Sequence, residues 1–95
     1  MDWPFDDPPN VAVFTSKAVT HDGEWIAYVS HDEEDGAWQF HSKDGAPGSE
    51  EGARIVSLRS ILASDPSVAE LADLPLGWCA SRQIATGEWI RRPKQ

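Results

Sequence analysis

The sequence predicts an α+β domain: a mainly antiparallel sheet of four to five strands with two short helices, at about 58–64 and 66–74, on one face. Three observations carry this. Two apolar-rich runs, Trp25–Ser30 and Ala37–His41, flank a short acidic turn and read as a β-hairpin. Two later segments space their apolar residues for helices: Leu58, Ile61 and Leu62, then Val68, Leu71 and Ala72. The order is strands, then helices, then strands, which suits helices packed on one face of an antiparallel sheet.

Residues 1–10 hold Pro4, Pro8 and Pro9 and three aspartates, so they read as an extended arm pinned by Trp3 and Phe5. Residues 11–92 form the single domain, and 93–95 are a tail. Val11–Ser16 is a strand, with Lys17–Thr20 as its continuation, and Asp22-Gly23 marks a turn. In the hairpin, a loop of Asp32–Asp35 pairs His31 with Gly36, Val29 with Trp38 and Ala27 with Phe40. With Trp25 these make one apolar face; Ile26, Tyr28, Ser30, Gln39 and His41 make the other. The acids of the turn are expected to point into water, because an unpaired carboxylate is costly to bury.

Residues 43–52 are polar, with three glycines and a proline, and read as a loop. Arg54–Leu58 starts as a strand, and Ser57 caps the first helix. Asp65-Pro66 is a cap with proline at the first helical position, and Ser67 with Glu70 also fits a capping box. Pro75 ends that helix and Gly77 frees the chain to turn. Trp78–Ala85 and Glu88–Arg92 are the last strands, around a Thr86-Gly87 turn.

The formal charge is −8 and lies unevenly. Residues 1–53 hold twelve acids and two bases; residues 54–95 hold four acids and six bases. Such a balance disfavours nucleic acid and anionic membrane as partners; it favours a basic protein surface or, as the simpler explanation, serves solubility. The lone Cys79 allows no internal disulfide, no basic segment leads into an apolar run as a secretory signal would, and no apolar run approaches a membrane span. A reducing, cytoplasmic setting is expected.

No catalytic motif is present. Ser30, His31 and Asp32 are adjacent, so their side chains alternate across a strand and cannot form a triad. The turn fails the calcium-loop pattern: counted from Asp32, the sixth residue is Ala37 where glycine is needed and the twelfth is Lys43 where glutamate is needed. The two helices carry only Arg59 against Asp65, Glu70 and Asp73, which does not suit a DNA-reading pair. The five tryptophans could line a groove, but core area is the simpler use of them.

Val13–Lys17, Tyr28–Glu33, Asp35–Phe40, Ala53–Leu58, Asp65-Pro66 and Ala69–Trp78 resemble a family of small bacterial domains of unknown function. Some of its members resemble predicted immunity proteins of polymorphic-toxin systems. The resemblance covers most of residues 11–92 and implies a fold family with no established activity, many of whose members resemble stand-alone cytoplasmic proteins and some of which are immunity-type proteins that would bind a toxin. No cofactor is expected.

The leading expectation is therefore a protein-binding module that presents Asp32, Glu33, Glu34 and Asp35 to a basic surface. One alternative is a ligand-binding or enzymatic domain using His31, His41 and Trp38, with Cys79 as a further candidate nucleophile. Another is a cation-binding acidic turn.

Overall fold

The computed structural model describes residues 3–21, 23–43 and 53–94. The sequence readings for Met1, Asp2, the Asp22 turn position, most of the 43–52 loop and Gln95 lie outside these residues. The described chain runs β1 (Ala12–Ser16), α1 (Lys17–Thr20), β2 (Ile26–His31), β3 (Trp38–Ser42), β4 (Ala53–Ser57), α2 (Leu58–Ser64), a 3-10 helix (Pro66–Leu71), β5 (Trp78–Ser81) and β6 (Ile90–Pro93).

The expected α+β class is observed, with one strand more than expected. Six strands form one mixed sheet in the order β4-β1-β3-β2-β5-β6. The β2–β3 hairpin lies at its centre. β3 also pairs with β1 in parallel, and every other neighbouring pair is antiparallel.

One face of the sheet carries the core. Val13, Val29, Phe40 and Ala80 are fully buried there, with Trp38 nearly so. Against them pack Leu58 and Ile61 of α2, and Val68, Leu71 and Leu74 from the segment that follows. Phe5 closes the core from the arm, meeting Trp38 edge-on with ring centres 5.2 Å apart. The opposite face has no helix over it among the described residues. It presents Phe14, Tyr28, Ser30, Gln39, His41 and Cys79, in keeping with alternation along each strand.

The first helix matches its expected bounds, and Ser57 caps it, its hydroxyl accepting from the Ser60 amide at 3.2 Å. The second is shorter and tighter than expected. Pro66–Leu71 is a 3-10 helix, and Asp65 rather than Ser67 caps it by accepting from the Ser67 amide. The reason lies in the spacing of its buried residues. Val68, Leu71 and Leu74 fall three apart, which lines up on the 3-10 repeat and not on the α-helical one. Three-residue hydrogen bonds from Val68 to Asp65, Ala72 to Ala69 and Leu74 to Leu71 hold the segment.

Four further expectations are corrected. Lys17–Thr20 is a helical turn, not more strand: Ser16 caps it and Val19 turns into the core. The hairpin loop is longer than Asp32–Asp35, so His31 pairs with Trp38 and Val29 with Phe40. The shift is by two residues, so both stay on the predicted face. Between Ile26 and Tyr28 the register slips in a bulge that brings Ile26 into the core, 1 % exposed. Finally, β5 stops at Ser81 because Arg82 turns inward, and β6 begins at Ile90.

Candidate functional site

The acidic loop is built from β2 and β3 outward. The Asp32 amide donates to the Ala37 carbonyl and the Gly36 amide to the Asp32 carbonyl, both at 2.8 Å. Gly36 reaches its place with φ of +72°, a region that favours glycine. The Asp35 carboxylate accepts from the Ala37 amide at 3.0 Å. These bonds close the loop on itself and leave Glu33, Glu34 and Asp35 exposed, as expected.

Asp32 departs from expectation. It is 7 % exposed, and its carboxylate is turned onto the helix-free face of the sheet. One oxygen accepts from Ser30 Oγ at 3.1 Å and from Lys94 Nζ at 2.9 Å; the other accepts from Gln39 Nε2 at 2.6 Å. The expected outward position rested on the cost of burying an unpaired carboxylate, and this one is paired. Burial alone pushes the Asp32 carboxyl up. The hydrogen bonds from Lys94, Gln39 and Ser30 outweigh it and hold the group below the usual carboxylate range. The same hydrogen bond raises the Lys94 ammonium.

The network runs on to His41. Gln39 gives its amide protons to Asp32, so its Oε1 accepts, and His41 Nε2 donates to it at 3.0 Å. Burial lowers the His41 imidazole, with the Asp32 charge acting weakly the other way. Beside it, burial first and the neighbouring Cys79 thiol second raise the Tyr28 phenol.

The base of the loop is braced from both sides. His31 stacks on Trp38 with ring centres 3.9 Å apart, and its Nδ1 donates to the Leu74 carbonyl at 2.8 Å. Trp38 Nε1 donates to Asp7 of the arm at 2.8 Å. Gly77 donates to the His31 carbonyl and accepts from the Lys94 amide, both at 2.7 Å. Glu33 and Glu34 line a notch of about 160 Å³ with Gly77 and Lys94. A Cβ on Gly77 would stand 3.3 Å from Glu33 Oε2, so the turn and the acidic loop are in close contact.

The residues of the first alternative do not gather. His31 and Trp38 stack with each other on the helix-covered side, while His41 projects from the helix-free side of the same sheet. Cys79 sits opposite Ser30 on β5, with β2 between it and the His41 strand. Among the described residues, no three His, Cys, Asp or Glu side chains are grouped so as to hold a metal ion.

Sequence reasoning placed Ser30, Gln39 and His41 on one face but did not join them to Asp32. It placed Lys94 only in the 93–95 tail. Nothing local marks a lysine as the partner of an aspartate sixty-two residues earlier. Among the described residues no helix is long and apolar enough to cross a membrane. Compared with known protein families, with curated proteins and with solved structures, the chain matches none of them.

Proposed function

We propose that the protein is a non-enzymatic binding module that meets a basic protein surface with the tip of its central hairpin, as an immunity-type protein meets a toxin. The observation that carries this reading is the division of labour within the acidic run. Asp32 is tied into the sheet by Lys94, Gln39 and Ser30, and the three acids after it stand exposed on a loop closed by its own hydrogen bonds. A charged group on a fixed loop meets a partner without the ordering cost of a mobile one. Three like charges at one end of the sheet also steer a cationic partner toward it. The lone, buried Cys79 is compatible with a cytoplasmic, reducing setting for this role.

The test is charge reversal. Wild type and the Glu33→Lys/Glu34→Lys variant are immobilised and exposed to lysate of the source cells, and retained proteins are identified by mass. A basic protein held by the wild type and lost from the variant is the expected result. Its association rate with the wild type should fall steeply with added salt, and the variant's should be lower by about tenfold or more at low salt. Equal retention by both, with equal association rates, would remove the tip from the interface.

A further inference from the structure

The two edges of the sheet are built differently. An exposed edge offers unpaired backbone groups to any strand, and proteins commonly blunt it with proline or charge. β6 is blunted. The Lys94 amide donates to the Gly77 carbonyl at 2.7 Å, and bonded pairs alternate along an antiparallel ladder, so Arg91 and Pro93 turn their backbone outward. Pro93 has no N–H to offer, and the Arg91 guanidinium is folded onto Asp73 at 2.8 Å. β4 is open. The Leu58 amide donates to the Val11 carbonyl at 2.9 Å, which by the same alternation turns Arg54 and Val56 toward β1 and Ala53 and Ile55 outward. All five residues of β4 pair with β1 without a bulge, and none is proline or glycine. The Ala53 amide and both backbone groups of Ile55 have no partner among the described residues. The Ala53 carbonyl accepts from Arg54 at 2.8 Å, which holds that guanidinium at the open edge.

The side chains beside this edge select its occupant. On the helix-free face Ile55 is 67 % exposed and its partner on β1, Phe14, is 42 % exposed. In a chain of charge −8, the elements β1, α1, β4 and α2 hold Lys17, Arg54 and Arg59 and no acid. All three bases are exposed, and none is in an ion pair among the described residues. We infer that the β4 edge takes an extended, acidic segment of another protein as a seventh strand. The backbone of that segment bonds Ala53 and Ile55. Every second side chain is apolar and lies against Ile55 and Phe14; those between are Asp or Glu and face Arg54. A second copy is the poorer occupant, because pairing two β4 strands sets two such basic flanks side by side. The edge is separate from the acidic tip: β1 runs parallel to β3, away from the tip, and Arg54 pairs with Thr15 near its far end. The inference does not depend on the tip's role.

The test titrates the full chain at physiological salt with a capped heptapeptide that alternates valine and glutamate, following backbone amide resonances. Its controls are the same peptide with lysine for glutamate and an acidic version with proline at the centre. The acidic peptide should shift the Ala53 and Ile55 amides to saturation at millimolar concentration and slow their hydrogen exchange. The lysine and proline peptides should bind several-fold more weakly. Arg54→Glu, an exposed substitution, should weaken the acidic peptide several-fold, strengthen the lysine one and keep the melting temperature. The inference is overturned if those amides do not move, if the acidic and lysine peptides bind the wild type alike, or if Arg54→Glu changes neither affinity. Shifts of the same amides with protein concentration alone, together with a dimer's mass in sedimentation, would assign the edge to a second copy and overturn it as well.

Discussion

Arg82 carries its guanidinium into the interior, its side chain 1 % exposed. Nε donates to the Ile26 carbonyl at 2.8 Å, one terminal nitrogen to Ser67 Oγ at 2.9 Å, and the other to the Asp65 carboxylate. Its central carbon lies 4.2 Å from the centre of the Trp89 ring and 5.7 Å from that of Trp25. One side chain thus joins the β2 bulge, the 3-10 helix and the last loop. Arg82→Met leaves the Asp65 carboxylate and a bulge carbonyl without their partner and should cost about 3 kcal/mol in denaturant unfolding; a loss within error of zero would contradict the clamp. Two further groups set the response to pH. The folded state binds a proton at His41 less readily than the unfolded chain does, so its contribution is present above the ordinary value of 6.5 and is lost as pH falls through the lower, folded value. Asp32 behaves likewise, below its ordinary value of 3.8. Stability should therefore fall in two stages on acidification, and His41→Gln should remove the upper one. An unchanged upper stage in that variant would assign it to another group.

At the scale of elements, what local pattern controls was legible and what distant pairing controls was not. The first helix, its Ser57 cap, the Asp65-Pro66 start and the central hairpin are each written in a few neighbouring residues, and all four are present. From Tyr28 to His41 the hairpin faces held because alternation fixes parity, but Ile26 did not, and neither did the loop length: His31 pairs with Trp38 and stacks on it, which sequence spacing does not show. The Ile26 carbonyl at the bulge is held by Arg82, fifty-six residues away, and the Asp32 carboxylate by Lys94. The exposure of Glu33, Glu34 and Asp35 was therefore readable, and the contacts that hold Asp32 beneath them were not. Gly77 joins the two halves of the chain at this point. It sits at φ of +82° with its Cβ position against Glu33. Gly77→Ala combines left-handed strain with this contact and should destabilise by about 1–2 kcal/mol. It should also disturb the Glu33 and Glu34 resonances. A neutral substitution with unmoved resonances would mean that the turn does not support the tip.

At the scale of the molecule, the sheet sorts its chemistry by face and by end. Helices and arm cover one face; the other holds the polar network from Lys94 to His41, flanked by the exposed Phe14 and Ile55 pair on β1 and β4. The exposed acids stand where β2 turns into β3, so the two central strands set their position. That loop is fixed through Asp32 and is not a loose charged turn. Amide hydrogen exchange of the intact protein tests this most directly. The Asp32 and Gly36 amides, both hydrogen-bonded, should exchange well below the rate of an unstructured peptide, and Asp32→Ala should speed them while β1 and β4 stay protected. Free exchange of both amides in the wild type, or rates unmoved by Asp32→Ala, would contradict it.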